Sequence, residues 1–521
     1  MKKIPIILVA LGIGIILFIA ALRKESSSSL KLDLLKERYA KKHVPSVDHS
    51  KLPALHKVFS TPQEVTLACI SCHTDRHKEV MRSSHWNWER GEYIEGRGIR
   101  YIGKKNILNN FCIGISTNEQ SCNKCHVGYG WTDATFNFDD STDVDCLSCH
   151  DNSNTYVKGA GGYPDTSVNL TFVAQHVGRP MRTNCGTCHF FGGGGNNVKH
   201  GDLEQALFST NRDVDVHMAS DGMDMQCVSC HRAENHRMLG KMYSVSSMNR
   251  NRSSCEQCHT GSPHNDNVLN EHTLKVACQT CHIPEYAKVN STKLSWDWSK
   301  AGRLRDGKPF EEKDSLGNDI YLSIKGSFVW GRDVKPEYIW FNGTASHYLM
   351  GDTTSVEPIR INRLNGAYDD PDAKIIPVKI HRARQPFDPI NKTLIQPKLY
   401  ASQKGEGAFW KDFDWDRAAE EGMKSVHLPY SGNYAFVRTE MVWPINHMVS
   451  PRGKTVSCIE CHTRGNGRLA NLQDFYMPGR NYNATVESFG IGALITALAG
   501  IIIHATARVF FTRRPGGGRT K

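Results

Sequence analysis

The chain has few apolar residues for its length. Only 39% of its 521 residues are hydrophobic, and the mean hydropathy is −0.46, although the length leaves room for roughly two to four domains. It also lacks spare cysteine, because all but one of its 17 cysteines fall in a single repeated motif. This regularity excludes a disulfide framework as the main use of cysteine, and it argues against an intracellular enzyme with reduced thiols.

The repeated motif is C-x-x-C-H, the attachment site of c-type haem, in which two thiols form thioethers and the adjacent histidine binds iron. A zinc site would need about four ligands, and thioredoxin-like motifs occur singly. The sequence therefore predicts eight covalent haems, whose macrocycles supply the apolar core that the side chains lack. The eight motifs are Cys69/Cys72/His73, Cys122/Cys125/His126, Cys146/Cys149/His150, Cys185/Cys188/His189, Cys227/Cys230/His231, Cys255/Cys258/His259, Cys278/Cys281/His282 and Cys458/Cys461/His462.

The spacing of the motifs predicts a multihaem cytochrome c fold. Seven motifs lie within 69–282, too densely for ordinary domains with cores of their own, so we expect short α-helices and coil wrapped around a haem stack. Residues 283–457 contain no motif and seven of the ten tryptophans, which indicates a loop-rich segment with some β-structure that folds back on the haems. The predicted domains are an anchor or signal-anchor at 1–24, a linker and stalk helix at 25–68, a seven-haem domain at 69–283, a haem-free segment at 284–457, the eighth haem site at 458–486, and a transmembrane helix with a basic tail at 487–521.

Two apolar runs predict one transmembrane helix at each end of the chain. Residues 4–22 and 489–507 are each long enough to cross a bilayer once. No clear A-x-A site follows the first run, which favours an uncleaved anchor over a cleaved signal peptide. The basic residues flanking both runs predict cytoplasmic termini. The haem domain is then expected in the periplasm, outside a bacterial inner membrane, where haem c chemistry belongs.

Low-spin electron-transfer haems need a second axial ligand, usually His or Met. We expect it among the histidines that lie near a motif, with His77 competing with His85, and His176, His381 and His427 as alternatives. Seven distal histidines for eight haems would leave one haem able to bind substrate. The seven predicted distal ligands are His85, His200, His217, His236, His264, His272 and His447.

Two further residues indicate where the open haem lies. Cys112 precedes Cys122 by ten residues and has no partner thiol; the alternative is a small buried apolar residue. Lys199 lies in the run GGGGNNVKH beside His200; the alternative is a solvated loop lysine. The four glycines are not a phosphate loop, because no Gly-Lys-Ser/Thr follows them.

Three runs of sequence, 103–131, 185–202 and 272–284, resemble the octahaem tetrathionate reductase family of c-type cytochromes, and the likeness covers most of residues 60–470. The resemblance implies that the haem on Cys122, Cys125 and His126 is the active site. It implies that Lys199 is the distal ligand of that haem and that Cys112 lies beside it. The family pattern has an acidic residue three positions before the lysine, where this chain has Asn196.

The predicted function is two-electron reduction of tetrathionate to thiosulfate, with the other haems transferring electrons. A lysine binds iron only as the neutral amine, and a thiolate of Cys112 would act on the sulfur–sulfur bond as in thiol–disulfide exchange. The alternatives are a nitrite or hydroxylamine reductase at the same haem, or a non-enzymatic electron conduit, in which Cys112 and Lys199 would be unnecessary.

The expected partners are a small inorganic anion, the inner membrane, and a quinol-oxidising membrane subunit or a periplasmic electron donor. Nucleic acid is not expected despite the net charge of +11, because seven of the basic residues lie in the two tails and the haem propionates add negative charge.

Overall fold

The computed structural model describes residues 33–37, 46–240 and 245–512. The chain forms two compact units, one ending at Val456 and the other beginning at Ser457. The predicted N-terminal anchor and the basic residues after Thr512 lie outside the described residues. Of the predicted stalk helix over 30–42, residues 33–37 are described, and they are helical.

The first unit contains short helices, as the density of motifs predicts. Single 3-10 turns join them at His49–Lys51, Pro53–Leu55, Asn123–Cys125, Ser141–Asp143, Ala160–Gly162, Gln205–Phe208, Cys255–Gln257, Trp298–Lys300 and Arg452–Lys454. The α-helices of this unit are α1 (Pro62–Cys72), α2 (Arg76–Met81), α3 (Ser84–Asn87), α4 (Glu119–Cys122), α5 (Leu147–His150), α6 (Leu170–Gln175), α7 (Arg182–His189), α8 (Cys227–Cys230), α9 (Asn267–His272), α10 (Cys278–His282), α11 (Phe409–Asp412) and α12 (Trp415–Ser425).

Each motif falls on or at the edge of one helical turn. Residues three apart lie on the same face of a helix, so a turn presents both thiols of C-x-x-C to one macrocycle. Helix α1 shows how the sequence arranges this. Thr61 and Glu64 form a capping box at its start, and Pro62 occupies the first turn. The helix ends at Cys72, so both cysteines of the first motif lie in its last turn.

The segment without motifs is built around a mixed β-sheet. The strands of the chain are β1 (Arg90–Ile94), β2 (Gly98–Ile102), β3 (Ala233–Glu234), β4 (Arg237–Met238), β5 (Thr292–Asp297), β6 (Glu311–Lys313), β7 (Asp319–Leu322), β8 (Gly326–Gly331), β9 (Glu337–Phe341), β10 (Ala345–His347), β11 (Ile359–Arg360), β12 (Asn362–Leu364), β13 (Lys374–Asp388), β14 (Thr393–Leu394) and β15 (Ala435–Pro444). The sheet has nine strands, in the order β11-β15-β13-β5-β8-β7-β6, with β9 and β14 also paired to β13. Separate two-stranded pairs are β1-β2, β3-β4 and β10-β12.

This segment is more regular than the loop-rich structure that the sequence predicts. The central strand β13 is 15 residues long and pairs with β15 along ten positions, from Val378 to Phe387. Its sequence hides it, because Pro377 and Pro386 lack an N–H and argue against a central strand. Tertiary packing overrides this signal, since most of β13 is buried.

The sheet packs on an aromatic core that continues into the region of the second motif. Trp296 and Trp298 stack with ring centroids 5.1 Å apart, and Phe111 belongs to the same cluster. The sheet also touches the last motif of the seven-motif region, because Ile375 of β13 bridges to Val276. The haem-free segment therefore folds back on the motif-bearing region, within one compact unit.

The second unit holds the eighth motif and the C-terminal helix. Helix α13 (Cys458–Cys461) begins with a capping box formed by Ser457 and Glu460. Helix α14 (Ala484–Thr512) follows. Among the described residues, Ala484–Phe511 is the one stretch of helix long and apolar enough to cross a membrane.

Candidate functional site

The attachment points of several motifs lie next to each other in space. The thiol of Cys69 contacts that of Cys146, which brings the first motif against the third. Three more pairs of motifs are in contact in the same way. Cys125 of the second motif contacts Cys188 of the fourth, Cys185 of the fourth contacts Cys227 of the fifth, and Cys255 of the sixth contacts Cys278 of the seventh. Motifs that are well separated in the sequence therefore lie side by side in the fold.

The second cysteines of the sixth and seventh motifs, Cys258 and Cys281, differ from each other in their local structure. The helical turn of the sixth motif ends at Gln257, so Cys258 lies just beyond it, with φ of −129° and ψ of −33°, and is exposed. This departs from the expectation that one helical turn carries both thiols of a motif. Cys281 lies inside α10 and is half-buried, and its carbonyl accepts a hydrogen bond from the N–H of Val456 at 2.9 Å. Cys258 and Cys281 are identified as haem thiols by the motif alone. The first cysteines of the same two motifs, Cys255 and Cys278, also contact each other.

The histidine rings provide a direct test of whether the residues fit haem. An iron held between two imidazole nitrogens at about 2 Å each puts the ring centroids about 6 Å apart. Six motif histidines each face a second histidine at this distance. The pairs are His73 and His49 at 6.4 Å, His150 and His236 at 6.2 Å, His189 and His85 at 6.2 Å, His231 and His447 at 6.2 Å, His259 and His217 at 6.2 Å, and His282 and His264 at 6.1 Å.

Five of the seven predicted distal histidines therefore lie opposite a motif histidine: His85, His217, His236, His264 and His447. Their partners are not those that sequence proximity suggests. His85 follows the first motif but faces His189 of the fourth. His49, which faces His73, was missed, because it precedes the first motif in a segment that reads as a linker.

His200 and His272 lie elsewhere. The ring of His200 lies edge-on to that of Trp443, with the centroids 5.0 Å apart, and His189 of the fourth motif faces His85. His272 ends helix α9, where its Nδ1–H donates to the carbonyl of Val268 at 2.6 Å.

Hydrogen bonds fix the orientation of several rings. The Nδ1–H of His150 donates to Gly178 O at 2.8 Å, and that of His231 donates to Leu239 O at 2.9 Å. On the distal side, Nδ1–H of His447 donates to Asp202 Oδ2 at 3.0 Å. Such bonds leave Nε2 for a metal, as second-shell partners of metal-binding histidines do. Burial acts to lower the pKa of His447, but the hydrogen bond and charge of Asp202 outweigh it and raise the pKa.

The histidine of the second motif has a different environment. His126 is fully buried, and its Nε2–H donates to the carbonyl of Trp86 at 2.6 Å. Iron coordination by Nε2 and this hydrogen bond exclude each other. Burial, outweighing the hydrogen bond, lowers the pKa of His126 to about 3. Five aromatic rings surround it within 6.1 Å: Trp86, Trp88, Trp131, Phe136 and Phe138.

Next to this motif the glycine-rich run forms a tight loop that carries Lys199. Gly193 and Gly194 have φ of 83° and 96°, values that favour glycine. A Cβ on Gly194 would stand 3.7 Å from the Sγ of Cys112. The thiol of Cys112 also lies 3.7 Å from the carbonyl oxygen of Gly193. The glycines therefore let the backbone approach Cys112, which the spacing of these residues in the sequence does not reveal.

Lys199 is buried, with 7% of its surface exposed, which excludes a solvated loop lysine. Its Nζ lies 4.8 Å from the ring centroid of Trp443. Burial, and then the charge of Lys104, lower its pKa to about 7, while Cys125 acts in the opposite direction. The loop thus places Lys199, whose pKa is lowered, near the thiol of Cys125 in the second motif.

The loop is held in place from the sheet. The buried Nζ of Lys379 on β13 donates to the carbonyls of Val198 and Lys199, at 2.8 and 3.1 Å, and to Thr292 Oγ1 at 2.7 Å. Asn196 has a structural contact, because its Oδ1 accepts a hydrogen bond from the backbone N–H of Gln205 at 2.8 Å. The sequence did not indicate Lys379, since its position depends on the fold of the sheet.

Comparison with known proteins supports the assignment. The bacterial cytochrome c family model matches residues 293–465. An uncharacterized protein of Archaeoglobus fulgidus is 25% identical over 242 residues, a match that covers 36% of this chain and 80% of that protein. The crystal structure of octaheme cytochrome c from Shewanella oneidensis is 42% identical with a TM-score of 0.77, and the match covers 84% of this chain and 98% of that chain. With eight C-x-x-C-H motifs and this similarity over nearly the whole of the solved chain, the protein belongs to the octahaem cytochrome c family and binds eight haem c groups covalently.

Proposed function

We propose that this cytochrome reduces tetrathionate to thiosulfate beside the second motif. The observation that carries the proposal is the convergence of Lys199 and Cys112 on the Gly192–Gly195 loop. A buried lysine and an unattached thiol are not needed for electron transfer alone, and both are suited to an anionic substrate with a sulfur–sulfur bond.

We propose that the six histidine pairs would hold the irons of six haems, and that His126 and Lys199 would hold the iron at the second motif. His126 must then give up its hydrogen bond to Trp86. When bound, the haems supply electrons and an iron position that a displaceable ligand can leave open. His272 and His462 stay proposed ligands by their places in the sequence.

The protein's side chains have separate parts in the reaction. Lys199, once released and protonated, is a cation beside the dianionic substrate. The thiolate of Cys112 attacks the central sulfur–sulfur bond, which forms an enzyme thiosulfonate and releases the first thiosulfate. Two electrons then cleave the new sulfur–sulfur bond, which regenerates the thiolate and releases the second thiosulfate. No proton is consumed overall.

We also propose that helix α14 anchors the protein in a bacterial inner membrane with the haem domain in the periplasm. Electrons would arrive from a quinol-oxidising membrane subunit or a periplasmic donor. The helix is exposed along its length in the described residues, as a membrane-spanning segment requires.

The test is oxidation of the reduced full-length holoprotein by each of three substrates. Stopped-flow mixing with tetrathionate should oxidise all the haems and produce two thiosulfates per tetrathionate. Fast oxidation by nitrite or hydroxylamine with none by tetrathionate would replace the proposal by the alternative reductase. No oxidation by any of the three would favour an electron conduit.

A further inference from the structure

A second group of cationic side chains, separate from Lys199, lies near Cys112. Lys293 is on β5, and Lys325 is in the turn between β7 and β8. The point that a Cβ on Gly194 would occupy is 3.7 Å from the Sγ of Cys112 and 3.7 Å from the Nζ of Lys325. The charges of Cys112 and Lys325 both act on the pKa of Lys293. Thiol and lysines therefore share one site.

Lys293 is buried in an aromatic cage, with 5% of its surface exposed. Its Nζ lies 3.4 Å from the ring centroid of Phe328, 4.2 Å from that of Trp296 and 4.9 Å from that of Trp330. The charge of Asp319 acts on the pKa of Lys293, but Asp319 forms its ion pair with Lys313. Among the described residues, no carboxylate or other acceptor forms a hydrogen bond or ion pair with the Lys293 ammonium group. Aromatic faces compensate a buried cation only in part, and a buried charge without an anionic partner is costly.

Lys325 is positioned in a similar way. Its carbonyl accepts a hydrogen bond from Trp296 Nε1 at 2.7 Å, which ties the turn to the cage around Lys293. Its Nζ lies 5.5 Å from the ring centroid of Trp410. The indole N–H of Trp410 is buried and has no acceptor within the described part of the chain. No acidic side chain there forms an ion pair with Lys325.

The site thus holds two ammonium groups that repel each other and a buried N–H donor that lacks an acceptor. Both features are unfavourable in the free protein, and a bound anion would offset both. Anions with several oxygens suit such a set of donors, because each oxygen accepts a separate charge-assisted hydrogen bond.

We propose that Lys293, Lys325 and the indole N–H of Trp410 form a subsite for one terminal sulfonate of a sulfur oxyanion. The inference rests on the proposed function, and it adds the residues that bind one end of the substrate. With one sulfonate here and the other towards Lys199, the central sulfur–sulfur bond lies at Cys112. The subsite selects for length and double charge, because nitrite has no second anionic group and hydroxylamine is neutral.

Titration calorimetry of the oxidised holoprotein with tetrathionate tests the subsite without turnover. Lys325→Gln and Lys293→Met should each raise Kd for tetrathionate at least about tenfold, because each removes one positive charge that would contact the anion. Lys293→Met keeps the length and apolar packing of the side chain. The matched control is Lys308→Gln, which removes a charge from an exposed turn of the same segment and should leave Kd unchanged.

Steady-state kinetics supply the second measurement. Both variants should raise KM for tetrathionate and leave kcat/KM for hydroxylamine or nitrite within about twofold of wild type. Equal Kd values for wild type, Lys325→Gln and Lys293→Met would overturn the subsite and leave the proposed function standing. So would equal losses on all three substrates.

The opposite failure is also distinguishable. If the wild type binds tetrathionate or thiosulfate but reduces neither, and binding weakens in both variants, the subsite stands and the proposed function falls. If the wild type binds no sulfur oxyanion, both fall.

Discussion

Replacing Lys379 with methionine removes three hydrogen bonds that hold the backbone around Lys199. The acceptors are the carbonyls of Val198 and Lys199 and the hydroxyl of Thr292. That hydroxyl already donates its proton to the carbonyl of Asn197 at 2.6 Å. All three groups therefore need an N–H from Lys379, which requires the charged ammonium form, although burial lowers the pKa of this residue.

The magnitude follows from these contacts. Leaving three buried acceptors without a donor costs about 1–3 kcal/mol each. Part of this free-energy cost is offset, because the substitution also removes a buried ammonium group, whose desolvation penalty is several kcal/mol. We expect a net loss of about 2–4 kcal/mol, concentrated in residues 190–200. Because 1.4 kcal/mol is a factor of ten, amide exchange there should accelerate at least about 30-fold.

Hydrogen exchange with mass spectrometry on the holoprotein measures this directly. The reporters are the N–H groups of Asn197 and Val198, which donate to Phe190 and Gly195. If Lys199 is a haem ligand, as proposed above, the haem absorption spectrum should change as well. Unchanged exchange in 190–200 together with an unchanged spectrum would refute a positioning role for Lys379.

Lys288→Met is the matched control. Lys288 is another partly buried lysine, and its Nζ donates to the carbonyls of Asp213, Val214 and Met448 and to Ser450 Oγ. Its replacement should accelerate exchange around those residues and leave 190–200 unaffected. Acceleration of 190–200 by both variants would indicate general destabilisation and not a local support.

Four further predictions address the site and the topology. Lys199→His should reduce turnover sharply with all eight haems attached, because imidazole is neutral near pH 7 and forms a less displaceable ligand; wild-type rates would place the open site elsewhere. Cys112→Ala should impair tetrathionate reduction and largely spare nitrite or hydroxylamine reduction, whereas equal losses on all substrates would make the thiol structural. Burial, and then the charge of Lys325, lower the pKa of Lys293 to about 7, so Lys293 is charged below that pH and loses its charge above it. Affinity for tetrathionate should therefore fall as the pH rises from 6 to 9, and Lys293→Met should make this fall smaller while the contribution of Lys199 remains. Finally, protease added to spheroplasts should degrade the haem domain and spare a tag at Lys521, and loss of the tag would contradict cytoplasmic termini.

The haem-attachment sites could be read from the sequence because they are local. Both thiols and the proximal histidine of each motif lie within five consecutive residues, so about one helical turn brings them to the same macrocycle. Cys112 and Lys199 were also singled out in the sequence, as the one thiol outside the motifs and as a lysine beside four glycines and His200. The family resemblance then supplied their expected roles. The structure then gave the reason for the four glycines, which allow the loop to pass next to the thiol of Cys112.

The pairing of the histidines could not be read from the sequence, because it depends on how distant segments pack. His85 lies near the first motif in the chain but faces His189, and His447 precedes the eighth motif but faces His231 of the fifth. The same holds for β13, whose prolines conceal a central strand, and for Lys379 and Lys293, which read as ordinary strand lysines. Covalent attachment is encoded by neighbours in the sequence, whereas an axial ligand or a buried charge depends on packing between segments far apart in the chain. The motifs alone give the number of haems and their points of attachment, whereas packing in three dimensions gives the histidine that faces each of six motif histidines.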